Sequence, residues 1–108
     1  MRTLTVTTQR QSQLVDITRD VADAVAGASG SAVLVYVPHT TAGVTINEHA
    51  DPAVARLLER ALERIVGDEW GWEHVEAGEE NAPSHVRASL LGSSVLVPLE
   101  EGRLVLGT

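Results

Sequence analysis

Apolar and polar positions alternate along this chain with two different periods. Residues 3–7 alternate every second position, as a half-buried strand does, and 12–16 can pair with them. From Thr18 the period lengthens, so that Ile17, Val21, Ala24 and Val25 share one helical face. Asp20 and Asp23 lie toward the favourable N-terminal end of that dipole, and Gly27 and Gly30 end the helix. The valine-rich run Ser31–Val37 predicts a central strand, and Gly43–Ile46 a second. The strongest pattern covers 51–66. Asp51 is a good N-cap, Pro52 fits the first turn, and Val54, Leu57, Leu58, Ala61, Leu62, Ile65 and Val66 form the apolar stripe. Arg56, Glu59, Arg60, Glu63 and Arg64 form its solvated face, and Gly67 ends it. Residues 68–80 are acidic and without period, which predicts a long loop. A shorter helix over 82–91 stops at Gly92, and Ser94–Pro98 with Arg103–Leu106 predict a hairpin around Glu100-Glu101-Gly102. Paired strands interleaved with helices predict an α+β fold, not a doubly wound parallel sheet.

Composition narrows the chemistry. One domain is expected from 108 residues. With no cysteine, disulfides, thiolate metal sites and cysteine nucleophiles are excluded. All eight basic residues are arginine, so lysine Schiff bases and a phosphate-loop lysine are excluded too. A formal net charge of −7 disfavours a nucleic acid partner, and Tyr36, Trp70 and Trp72 are too few for a base-stacking platform. The N-terminus has no signal-peptide core and no apolar run could span a bilayer, so no membrane association and a cytoplasmic location are expected.

Histidine is then the natural carrier of chemistry, at positions 39, 49, 74 and 85. His39 follows the predicted central strand in Pro38-His39-Thr40-Thr41-Ala42-Gly43, and such strand ends commonly meet ligands. Asn47-Glu48-His49 joins amide, carboxylate and imidazole just before a helix. His74 sits in the acidic loop, and His85 early in the shorter helix over 82–91. Three imidazoles, or two with a carboxylate, make a usual divalent-metal set, yet these residues are far apart and match no local metal signature. Taken singly, each is more readily a structural or surface histidine than a ligand, and both readings stay open at this level.

The order of the short segments says more. His39-Thr40-Thr41-Ala42-Gly43 with Asn47-Glu48, Asp51-Pro52 with Val54, Glu73-His74 with Gly78, Pro83-Ser84-His85 through Ser89, Gly92 and Ser94, and the ending Val97-Pro98, Gly102 and Gly107-Thr108 together resemble the YjbQ family. These small proteins are known as secondary thiamine-phosphate synthases. The resemblance implies two packed, mainly antiparallel sheets with flanking helices, assembled as a homotrimer. It gathers His39, Thr40, Asn47, Glu48, His74 and His85 in a cleft near a subunit boundary. His49 stands where relatives vary, and Leu57 where they often carry aspartate. Relatives also continue beyond Gly107-Thr108 with further strands, so a single domain over 1–108 lacking those strands is expected.

The activity implied by the resemblance joins a pyrimidine-methyl diphosphate to a thiazole phosphate with loss of diphosphate. His39, Glu48 and His85 are then the catalytic candidates, and His39, His74 and His85 the ligands of a divalent metal. Thr40, Thr41, Asn47, Arg87 and Ser94 are the candidates for substrate binding. Ser93 and the N-terminus of the 82–91 helix would add contacts to phosphate oxygens. Arg87 as the one cation among these candidates, with no lysine, is a sparse provision for two phosphorylated substrates. A trimer that binds a metal or a small phosphorylated metabolite without turnover is therefore the competing expectation, and a structural trimer a third.

Overall fold

Asp51 and Pro52 begin the longest helix where their chemistry directs. The Asp51 carboxylate accepts the Ala53 backbone N–H at 2.9 Å, and Pro52 occupies the first turn, where no N–H is needed. This computed structural model describes residues 1–48, 51–67 and 82–107. Its elements are α1 (Thr18–Val25), β1 (Ala32–Tyr36), α2 (Pro52–Ile65), α3 (Ala82–Leu91), β2 (Ser94–Glu100) and β3 (Arg103–Leu104). The chain divides into two compact units, Met1–Val35 with Leu96–Thr108, and Tyr36–Val95.

The first unit is organised around a hairpin. Glu101 and Gly102 both have positive φ, 53° and 73°, so the two-residue turn is of the primed type whose twist suits antiparallel strands. It sets Leu99 opposite Leu104 and Glu100 opposite Arg103. The sheet order is β1-β2-β3. Backbone bonds from Leu99 to Ser31 (2.9 Å) and from Val37 to Ser93 (2.8 Å) make β1 and β2 antiparallel as well. Val97, 5 % exposed, is the buried centre of β2. The opposite face is open: Leu34 and Leu96, brought across from one another by this register, are 63 % and 67 % exposed. Helix α1 starts on Asp16, whose carboxylate accepts from both the backbone N–H and the hydroxyl of Thr18. It buries Val21 and ends at Gly27, whose φ of 73° reverses the chain. There Gly27 meets the hairpin turn. A Cβ on Gly102 would lie 2.8 Å from the Gly27 nitrogen, so the turn and the helix end touch through backbone alone.

In the second unit, a side chain of α3 reaches the end of α2. Arg87 of α3 donates from Nε and Nη2 to the Val66 carbonyl, at 3.2 and 2.7 Å. Val66 closes α2 and is 1 % exposed, so its carbonyl needs a partner within the protein. A guanidinium at this end of a helix also meets the negative end of the dipole. Above α3 the chain turns at Gly92, with φ of 91°, and the Gly92 N–H donates to the Ala88 carbonyl at 2.9 Å.

The helices and the hairpin follow the expected boundaries within one or two residues. The strands expected over 3–7, 12–16 and 43–46 lie instead in irregular backbone, with Leu4, Val6, Val15 and Ile46 exposed. Alternation makes a segment compatible with a sheet, but only a ladder partner makes it a strand. Val44, for example, donates to the carbonyl of Gly92, a helix end, at 3.0 Å. The three-stranded sheet is accordingly the only one among the described residues, where two were expected. The α2 stripe is also less covered than its pattern implies: Leu57 and Ile65 are exposed. The loop expected over 68–80 lies outside the described residues.

Candidate functional site

Residues 38–43 form a loop held at both ends. At its entry the Val37 N–H donates to the Ser93 carbonyl at 2.8 Å; at its exit the Val44 N–H donates to the Gly92 carbonyl at 3.0 Å. The acceptors are consecutive residues, so both ends of the six-residue loop are fastened to one short stretch of backbone just beyond α3. His39, Thr40 and Thr41 are exposed along it, and Ser93 and Ser94, also exposed, follow directly from the fastening point. The scaffold thus brings the imidazole-bearing and hydroxyl-bearing segments to the same end of α3.

Gly43 makes this approach feasible. A Cβ there would stand 2.8 Å from the Gly92 carbonyl oxygen, 3.0 Å from the Leu91 Cβ and 3.3 Å from the Ala88 carbonyl oxygen. The sequence marks this glycine only as the end of the His39–Gly43 run and the start of an expected strand. Its contact partner lies 49 positions on, where Gly92 reads simply as a helix stop.

His85 and Arg87 lie two positions apart on α3, and such residues point to nearly opposite sides of a helix. Arg87 is turned to the end of α2, where Val66 engages its guanidinium. His85 is half-buried, and its backbone carbonyl accepts the Ser89 hydroxyl at 3.0 Å. The start of α3, considered above as a phosphate cradle, is ill suited to that use. Ala82 and Pro83 are buried there, and Pro83 has no N–H to offer. Asn47 and Glu48 are exposed, and the Asn47 side-chain oxygen accepts the Glu48 backbone N–H at 2.7 Å. That bond holds the Asn47 carboxamide against its own backbone. His49 and His74 lie outside the described residues. Among the described residues no three histidine, aspartate or glutamate side chains converge as a metal-ligand group. A shallow depression of ≈ 270 Å³ follows Glu100, Glu101, Arg103, Leu104, Val105 and Leu106, and contains none of the candidate residues. Among the described residues no helix is long and apolar enough to cross a membrane.

Together these features define a small α+β protein with histidine and hydroxyl groups on a fastened loop. The family model described as "UPF0047 protein YjbQ-like" matches residues 2–108, and the chain belongs to this family. The UPF0047 protein YugU of Bacillus subtilis is 39% identical over 112 residues, a match covering 100% of this chain and 82% of the relative. The UPF0047 protein YjbQ of Salmonella typhimurium is 44% identical over 70 residues, covering 65% of this chain and 51% of the relative. Among solved structures, an uncharacterized YjbQ/UPF0047 family protein from Clostridium acetobutylicum superposes with a TM-score of 0.86 at 42% identity. That match covers 95% of this chain and 79% of the other. A hypothetical protein from Aeropyrum pernix K1 gives a TM-score of 0.85 at 33% identity, covering 95% and 77%. The likeness carries fold and family.

Proposed function

We propose that the rim formed by the His39–Gly43 loop and the Ser93-Ser94 segment binds the phosphate of a small phosphorylated metabolite. The observation that supports this is the pair of backbone bonds, Val37 to Ser93 and Val44 to Gly92, which gathers the hydroxyl-bearing residues at one end of α3. In this reading Thr40, Thr41 and Ser94 donate to phosphate oxygens, and Asn47 orients the organic part. His39 and His85 hold or move protons, and Glu48 fixes an imidazole. The finer form of the proposal is thiamine-phosphate synthesis. The thiazole nitrogen attacks the pyrimidine methylene, the C–N bond forms, and the C–O bond breaks with its electron pair leaving on diphosphate. A divalent metal on His39, His74 and His85 would neutralise that leaving group.

A second reading, binding without turnover, is favoured by one observation. Arg87, the candidate cation for the diphosphate, already donates to the Val66 carbonyl. A homotrimer belongs to both proposals, and the exposed Leu34 and Leu96 are apolar surface that an assembly would cover.

Isothermal titration with inorganic phosphate and elemental analysis of bound metal test the site, each with His39→Ala and His85→Ala beside the unaltered protein. Phosphate binding lost in His39→Ala supports the rim; binding unchanged in both variants sinks it. Turnover of the two thiamine precursors, lost in His39→Ala, decides for the synthase. Intact binding without turnover decides for the binder, and a monomer by sedimentation velocity ends the trimer proposal.

A further inference from the structure

We infer that Gly43 is a positioning residue, holding the His39-Thr40-Thr41 loop on the last turn of α3 by a backbone approach that no side chain can share. The inference rests on the phosphate-rim reading for its functional meaning, but not for its geometry. Three observations converge on it. The loop is bonded at entry to Ser93 and at exit to Gly92. A Cβ on Gly43 would fall 2.8 Å from the Gly92 carbonyl oxygen, which is the acceptor of the exit bond. The other close groups cannot retreat easily. The Ala88 carbonyl, 3.3 Å from that Cβ, is engaged by the Gly92 N–H, and Ala88 itself is buried.

The need for glycine here differs in kind from that at Gly27, Gly92 and Gly102, which have positive φ. Gly43 is not among the positive-φ residues, so an alanine would be at ease in its backbone conformation. The obstacle is contact alone. Alanine must lift the loop from α3, and the group first displaced is the Val44 N–H with its bond to Gly92. The loop then loses one of its two fastenings, and His39, Thr40 and Thr41 lose their fixed placement against Ser93 and Ser94. Groups that cooperate on one small ligand are sensitive to such displacements, because a binding constellation must be held to within about 0.5 Å.

The experiment uses the full chain and compares Gly43→Ala with Gly30→Ala. At Gly30 the added Cβ has its nearest neighbour at 3.8 Å and no positive φ stands against it. Amide hydrogen exchange of Val37, Val44 and Gly92, followed by NMR, reads the placement of the loop. Titration with inorganic phosphate, followed through the imidazole signals of His39 and His85, reads its use. Gly43→Ala is expected to remove the protection of Val44, leave that of Gly92, and weaken phosphate binding roughly tenfold or more with the helical circular dichroism intact. Gly30→Ala is expected to change neither. Val44 protection retained in Gly43→Ala overturns the inference, and so does phosphate affinity unchanged after protection is lost. If Gly43→Ala fails to fold, the unaltered protein decides: Val44 exchanging at the rate of an open amide overturns the inference, and slow exchange upholds it. Absence of phosphate binding to the unaltered protein defeats the phosphate-rim reading alone, and the exchange result still decides the role of Gly43.

Discussion

Replacing Gly102 with alanine tests the contact between the hairpin turn and the end of α1. Two penalties act at this position. Its φ of 73° lies in the left-handed region, which costs an alanine about 1–2 kcal/mol. The new Cβ would also stand 2.8 Å from the Gly27 nitrogen and 3.0 Å from its Cα, and these are backbone atoms with no rotamer to escape into. Forcing extra volume into such a contact costs about 1–3 kcal/mol. The loss of glycine's freedom in the unfolded chain returns about 0.4–1 kcal/mol. The expected net loss is about 3 kcal/mol, or a fall in melting temperature of roughly 10–20 °C for a domain of this size. Gly27→Ala provides the comparison. It has the same φ of 73° but nothing within 4 Å of its added Cβ, so only the conformational penalty applies and about 1 kcal/mol is lost. Urea unfolding followed by circular dichroism at 222 nm measures both variants. If Gly102→Ala loses no more than Gly27→Ala, the close approach is not a constraint and the reasoning fails.

Further outcomes follow from the same geometry. Arg87→Ala, which leaves the buried Val66 carbonyl without its two guanidinium donors, should lose about 2–3 kcal/mol in urea unfolding, and a loss under ~0.5 kcal/mol would show the clamp to be idle. Asp51→Ala should lose about 1 kcal/mol through the N-cap of α2, while Asp51→Asn should recover most of it, because an amide oxygen caps nearly as well. Glu101→Gly should leave stability unchanged or raise it by up to about 1 kcal/mol, since glycine relieves the φ of 53°; a clear loss would mean that the Glu101 side chain contributes what the backbone does not reveal.

How far the fold could be read from the chain depends on the range of the interaction concerned. Helix α2 was legible because each of its determinants is local: Asp51 caps two residues ahead, Pro52 suits the first turn, and the stripe repeats within one element. The Glu101-Gly102 turn was legible for the same reason. Residues 3–7 and 12–16 misled because a period of two records which side chains alternate, not whether another strand is present to accept the ladder. The site divides in the same way. His39, Thr40 and Thr41 stood out as a polar strand end, and the loop is there. That it returns to the Gly92-Ser93 carbonyls could not be read locally, because Val37 and Val44 meet partners about fifty positions away. Arg87 shows the limit most clearly. The resemblance makes it a candidate substrate ligand; the structure turns its guanidinium to the Val66 carbonyl at the end of α2.

The twofold fastening of residues 38–43 bears on how this family can change. A loop whose ends are tied to neighbouring carbonyls is already closed, and the closure does not depend on its contents. Doubling its length would add only about 0.6 kcal/mol of closure entropy, provided Gly43 and the two bonded amides are kept. Insertions and exchanges at 39–42 could therefore accumulate with little burden on folding. The His39-Thr40-Thr41-Ala42 run by which the chain resembles its family is thus not dictated by closure of the loop.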